Sequence, residues 1–256
     1  MRVAVLGGTG TLGAPVVREL RTRGHEVRIL SRNAPDELLP GVEHRSVNVA
    51  TGAGLDAALA GVDTLVDAVS AESDAAKVLV AGVRLLLAAE QRAGVDHHVE
   101  ISIVGCDRVG MSYFRAKAAQ ERLVTTGPVP WTLLRATQFH EFVDDALAGA
   151  ARFRIALHGA AAVQPVDVLA VASRLTDAVD TGPSGRLADI GGPTVYTLTE
   201  ATLARRASTA RVLLPIPIPS LGRAGRALRE GALCLGPGGE AVSFDYAEWL
   251  RRRAGS

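Results

Sequence analysis

Tyr113 and Lys117 stand four residues apart in the run Tyr113-Phe114-Arg115-Ala116-Lys117. That spacing puts a phenol and an ammonium on one face of a helix. An ammonium nearby favours phenolate and lowers the phenol's pKa, so Tyr113 would give its proton more readily to an alkoxide forming on a substrate. The chain has three tyrosines but only two lysines, Lys77 and Lys117, and otherwise relies on arginine. Arginine would keep the charge without the compact, tunable ammonium that proton chemistry uses.

A second group lies near the amino end, where Gly7-Gly8-Thr9-Gly10-Thr11-Leu12-Gly13 follows the apolar run Val3–Leu6. Gly7, Gly10 and Gly13 hold a G-x-x-G-x-x-G spacing. Such glycines allow a tight turn, a close backbone approach to a pyrophosphate, and close packing of the next helix on the strand. The helix start offers unpaired N–H groups and a positive dipole end to phosphate, and Thr9 and Thr11 add hydroxyl donors. The turn therefore reads as a dinucleotide site. Units that bind NAD place Asp or Glu about twenty residues on, to hold the ribose 2′-hydroxyl. Here Ser31-Arg32-Asn33 stands instead. Arg32 can pair with a 2′-phosphate and Ser31 can donate to it, which favours NADP(H) over NAD(H). Lys117 is then a donor to the nicotinamide ribose as well as the neighbour of Tyr113.

These residues need a frame. Short apolar runs alternate with segments of helical period, the pattern of an α/β, doubly wound parallel sheet of Rossmann type. Strands are expected at Val3–Leu6, Val27–Leu30, Val42–Val49, Thr64–Val69, His98–Val104 and Trp131–Arg135. Helices are expected at Leu12–Arg21, Leu55–Ala60, Ala75–Ala93, Tyr113–Thr125 and Glu141–Ala150. Later come strands at Val163–Val166 and Leu187–Ile190, helices at Val168–Val179 and Thr199–Thr209, and a proline-spaced segment, Leu213–Pro219, that cannot continue a helix. The expected organisation is a cofactor-binding core over residues 1–140 and a mixed α/β substrate subdomain over 141–256, packed as one unit.

The 256 residues carry 28 basic and 27 acidic side chains, a net charge of +1, so nothing points to nucleic acid or an anionic membrane. Cys106 and Cys234 lack metal-ligand spacing, and reduced thiols in the cytoplasm are expected. The amino-terminal apolar run is too short for a signal-peptide core, and no apolar stretch is long enough to span a bilayer. His97-His98 is adjacent rather than metal-spaced, so no metal is expected. His140 reads as a hydrogen-bonded, partly buried histidine, Asp144-Asp145 as a solvated helix face, and Trp131 and Trp249 as packing. No G-x-S-x-G elbow of a hydrolase occurs.

GGTGTLG, ISIVGCDRVGMSYFRAKAAQERLV, WTLLRATQFHEF and FDYAEWLRRR together resemble the atypical short-chain dehydrogenase/reductases of the NmrA-like, NAD(P)H-binding kind. The resemblance implies a Rossmann core with NADP(H) and a pocket between the sheet's carboxyl ends and the carboxy-terminal subdomain. It implies that Gly7, Thr9, Gly10, Thr11 and Leu12 meet the pyrophosphate and Arg32 the 2′-phosphate. Val69 and Ser70 would flank the adenosine side, and Gln138 and Phe139 the nicotinamide and substrate. Such reductases carry a Ser or Thr in the strand before the Tyr helix. Ser102 is the candidate, although the usual pattern puts that hydroxyl where Ile103 stands. Asn48, Ala136 and Leu169 are further departures. The expected activity is NADPH-dependent reduction of a small carbonyl, quinone or enone. The alternatives are a non-catalytic NADP(H) sensor acting through a partner protein, and an epimerase or dehydratase of the same superfamily. Substrate identity and oligomeric state are left open.

Overall fold

A computed structural model describes residues 1–71, 74–209 and 214–254. In chain order the elements are β1 (Arg2–Leu6), α1 (Gly13–Thr22), β2 (Glu26–Ser31), β3 (Val42–Ser46), α2 (Leu55–Leu59) and β4 (Thr64–Asp67). A π-helical stretch, Ala76–Gly82, leads into α3 (Val83–Ala93), followed by β5 (His97–Ile103), α4 (Ser112–Thr125) and β6 (Trp131–Ala136). Then come α5 (His140–Arg152), β7 (Ile155–His158), β8 (Ala162–Val163), α6 (Val168–Thr181), β9 (Gly185–Arg186), β10 (Ile190–Gly191) and β11 (Tyr196–Thr197). The last are α7 (Leu198–Thr209), β12 (Leu214–Pro217), α8 (Gly222–Arg229), β13 (Glu240–Ala241) and α9 (Tyr246–Ala254).

The chain forms two compact units. One holds residues 1–102, 112–134 and 169–187; the other holds 103–111, 135–168 and 188–256. This interleaving differs from a single boundary at residue 140. The helix α6, which the sequence places in the carboxy-terminal subdomain, clusters over residues 169–181 with the first unit, where Asp177 and Asp180 pair with Arg23 of α1's C-cap at 2.7 and 2.8 Å.

In the first unit the strands lie in the order β6-β5-β4-β1-β2-β3. β1 pairs in parallel with β2 and β4, β2 with β3, and β4 with β5. After β3 the chain returns to the other side of β1, so the order reverses there, and the carboxyl end of β1 is the place where such sheets bind ligands. This is a Rossmann-type doubly wound sheet. Val3, Ala4, Val5 and Leu6 are all buried, as a strand covered on both faces must be. Ala4, Leu6, Leu30 and Leu65 pack with Leu55 and Leu59 of α2 and Leu86 of α3.

Two strands end earlier than their expected ranges, for one reason. Asn48 Oδ1 accepts from Ala50 N–H at 3.1 Å and Asp67 Oδ1 from Val69 N–H at 3.0 Å. Each side chain turns its own backbone two residues on, which stops the ladder before Val49 and Val69. The predicted helix from Ala75 begins as a π-helix, and at its end a Cβ on Gly82 would lie 2.9 Å from the Val49 carbonyl oxygen.

The second unit has its own core of Val143, Leu147, Ala201, Tyr246 and Leu250, with Trp249 against it. Trp131 packs likewise against Val83, Leu87 and Val124 in the first unit. Of the predicted Val163–Val166 strand only Val163 joins a ladder, in β8 against β11; Pro165 lacks an N–H, and Val166 bridges to Phe139 instead. Of the predicted strand Leu187–Ile190 only Ile190 is in a strand, β10; β9 ends at Arg186, just before the range. Leu214–Pro217 is an edge strand, parallel to β7. Pro215 and Pro217 alternate with Leu214 and Ile216, so both missing donors fall on the unpaired side. Leu213, where that segment was read to begin, lies outside the described residues. Asp144 is not solvated as read; it is buried and takes Arg205 Nε at 2.6 Å and Arg253 Nη1 at 3.3 Å.

Candidate functional site

The glycine turn is set by contacts that leave no room for side chains. Gly7 has φ +76° and hands its N–H to Leu30 O, while Gly10 N–H closes back on Gly7 O at 2.9 Å. A Cβ on Gly13 would stand 2.1 Å from Gly7 O. Among the described residues no acceptor meets the N–H groups of Thr9, Thr11 or Leu12. Thr9, Gly10 and Thr11 are exposed, and Leu12 is buried as the residue entering α1. Free donors over a helix start, in a cradle a Cβ would fill, suit the pyrophosphate of a dinucleotide.

At the far side of β2, Arg32 is exposed, and no described residue pairs with its guanidinium. It borders a shallow hollow of about 320 Å³ with Ser46, Val47, Asn48, Ala53 and Gly54. Ser31 is less free than its position suggested. Its hydroxyl donates to Asn33 O at 2.6 Å and lies 3.0 Å from His44 Nε2.

The segment after β4 lies against the glycine turn: a Cβ on Gly7 would meet Ala68 O at 3.1 Å and Val69 Cγ2 at 3.3 Å. Ser70 follows, exposed, with its hydroxyl oxygen 3.1 Å from the Tyr113 hydroxyl oxygen. The structure thus brings together Gly7, Val69, Ser70 and Tyr113 in the first unit.

Lys117 is placed differently from the sequence reading. It is 3% exposed, and its ammonium donates to Glu100 Oε1 at 3.0 Å, Ile101 O at 2.8 Å and Gln120 Oε1 at 2.8 Å. An ammonium has three protons, and all three are committed, so none is left for a ribose hydroxyl. The sequence signal was a spacing; the partners come from β5 and from the next turn of α4.

Those partners belong to a buried polar network that sequence reading missed. Gln120 Nε2 donates to Asp67 Oδ2 at 3.2 Å and Glu100 Oε2 at 3.1 Å. His98 Nδ1 meets Glu90 Oε1 at 2.8 Å, and its Nε2 lies 3.4 Å from Glu100 Oε2. Burial pushes the Asp67 carboxyl up to about 7, with the Glu100 charge adding to it. Burial alone would lower His98, but Glu90 and Glu100 hold it well above the usual histidine range. Lys117 is likewise raised against its burial by Glu100 and Asp67. Asp67, His98 and Glu100 offer three ligand atoms within 4.8 Å of one another, yet the Lys117 ammonium already stands beside Glu100. The signal for this network was the alternation His98, Glu100, Ser102 with Val99, Ile101 and Ile103 along one strand, since buried polar groups require partners. Next to it, His97 donates to or accepts from Thr132 at 2.8 Å, and burial then His98 lower it to about 4.

Ser102 is buried at 2% exposure, on the strand face it shares with Glu100. In the second unit the Gln138 amide is used at both ends, donating to Leu233 O at 2.9 Å and accepting from Gln164 N–H at 3.0 Å. Phe139 enters α5 from an extended conformation. His140 is fully buried among Phe244, Tyr246 and Trp249, with ring centroids within 5.9 Å, and burial lowers it.

Comparison with known proteins gives a family. Residues 7–180 match the model of the NAD(P)H-binding family. No curated protein sequence matches. A nucleoside-diphosphate-sugar epimerase from Staphylococcus aureus superposes with a TM-score of 0.79 at 16% identity, covering 98% of this chain and 100% of that one. The Citrobacter sp. triphenylmethane reductase complexed with NADP(H) does so with a TM-score of 0.80 at 18% identity, covering 99% and 100%. An Escherichia coli NADPH-dependent quinone oxidoreductase gives 0.76 at 17% identity, covering 98% and 99%. At such identities these likenesses establish the shared fold. The family match spans most of the chain and includes the whole glycine turn and Tyr113, and on that ground the chain belongs to the NAD(P)H-binding family.

Proposed function

We propose that the protein is an NADPH-dependent reductase of a small carbonyl, quinone or enone. The observation that carries this reading is the Tyr113 phenol beside Ser70, on a segment that touches the glycine turn. Gly7, Thr9, Gly10, Thr11, Leu12 and Gly13 would hold the pyrophosphate by backbone donors and close approach, and Arg32 the 2′-phosphate. The open hollow beside Arg32 and Asn48 suits the adenosine end. Bound reduced nicotinamide supplies a hydride; the protein must supply the proton. Tyr113 Oη, half-buried and 3.1 Å from Ser70 Oγ, is the donor this reading assigns. Lys117 serves it by charge from within the network, not by contact with a ribose. Quinone and triphenylmethane reductases on this fold support the substrate class. Both free thiols, Cys106 and Cys234, are buried, which suits a reducing cytoplasm.

One observation favours a sensor instead: all three Lys117 protons are committed to protein acceptors. The test is direct. The protein is mixed with NADPH and a panel of quinones, enones and ketones, and loss of reduced-nicotinamide absorbance is followed. Turnover with one class is expected; tight NADPH binding with no turnover on any acceptor selects the sensor.

A further inference from the structure

Two cross-links tie α4 to the end of β4. At the inner one, Gln120 Nε2 reaches Asp67 Oδ2 at 3.2 Å. At the outer one, seven residues earlier on α4 and three later on the other segment, Tyr113 Oη meets Ser70 Oγ at 3.1 Å. Between them Asp67 Oδ1 takes the Val69 N–H at 3.0 Å and fixes the turn that delivers Ser70. The inner link is wholly buried and the outer one reaches solvent, since Ser70 is exposed. Ser102, the hydroxyl that sequence reading selected, is buried on the strand.

We infer that Ser70 is the hydroxyl partner of Tyr113, a relay and positioning residue that orients the phenol and returns a proton to it from solvent. A phenol that gives up its proton needs a donor at its own oxygen. Ser70 Oγ is placed to be that donor, which leaves the Tyr113 proton directed elsewhere. The transfer balances without a further reagent. The Tyr113 O–H bond breaks as the product O–H bond forms; in one concerted step Ser70 Oγ then passes its proton to the phenolate oxygen and takes one from a solvent water, whose hydroxide is neutralised in bulk solvent. This role rests on the reductase reading, which supplies the hydride and the acceptor.

The test uses the full chain with Ser70→Ala, Ser70→Thr and Tyr113→Phe. Its first readout needs no turnover: the Tyr113 ring, labelled with carbon-13 at Cζ and identified by its loss in Tyr113→Phe, is titrated by NMR. Ser70→Ala is expected to move its titration upward, because a donor to the phenolate is lost, and Ser70→Thr to restore it. The second readout is the rate. Ser70→Ala is expected to lower kcat about tenfold or more at unchanged KM, with Ser70→Thr recovering most of it. An unmoved Tyr113 titration, or a Ser70→Ala rate equal to the native one, overturns the relay alone. Absence of turnover in the native protein overturns the reductase reading and the relay with it.

Discussion

Gly13 sits so close to Gly7 that a β-carbon on it would stand 2.1 Å from the Gly7 carbonyl oxygen and 2.7 Å from Gly8 Cα. The obstacles are backbone atoms, which cannot swing aside as a side chain can. Gly13→Ala must therefore push α1 off the turn or open the turn itself. NADPH affinity should fall by well over tenfold, measured by nicotinamide fluorescence, and the unfolding free energy from urea titration should drop by about 1–3 kcal/mol. Unchanged affinity would mean that the turn does not hold the dinucleotide.

Arg32 stands open at the edge of its hollow, so its removal leaves no buried partner stranded. Arg32→Ala should weaken NADPH binding by about tenfold or more while NADH binding stays within a factor of about two. Titration of both cofactors against native and variant protein checks this, and equal native affinity for the two would remove the 2′-phosphate assignment.

Lys117 belongs to the core by its geometry. Lys117→Met removes one of the two cations beside the buried Glu100, leaving His98 as the other, which costs up to about 3–5 kcal/mol. Urea unfolding should show that loss, and Glu100→Gln in the same chain should recover part of it. A variant with native stability and only a raised KM for NADPH would instead assign the ammonium to the cofactor.

Asp67 gives the network a pH signature. Its carboxyl titrates at about 7 in the folded chain, against a model-peptide value near 4. Between about pH 4 and 7 the folded protein therefore holds a proton that the unfolded chain has released. Its contribution is full below pH 4 and is lost as the pH rises through 7, at up to about 1.4 kcal/mol per pH unit. His98, raised by Glu90 and Glu100, adds a loss in the same direction above pH 6.5. Urea midpoints at pH 5 and pH 8 should differ less in Asp67→Asn than in the native chain; an identical difference would leave Asp67 out of the effect.

The strand-turn-helix at the amino end was legible because each of its parts is local: an apolar run, glycines at fixed offsets, and a helical stripe from Leu12 to Leu20. The ends of β3 and β4 were not, because an Asn or Asp stops a strand only when its side chain bends back, as those of Asn48 and Asp67 do. The phenol was found from its spacing to Lys117, and its nearest hydroxyl, Ser70, lies 43 residues away in sequence. The partner of Lys117 was hidden for the same reason, since Glu100 approaches it from a strand 17 residues earlier. Pairings across the sheet depend on topology, which periodicity alone does not encode.

The burial of Lys117 also makes the chain its own probe of opening. Only two side chains carry an ε-amino group, and Lys77 is exposed while Lys117 is 3% exposed. An amine-directed acylating reagent should then mark Lys77 at once and Lys117 only in molecules whose sheet and α4 have parted. The ratio of the two labels, read by mass spectrometry of the digested chain, reports the fraction of time the first unit spends open.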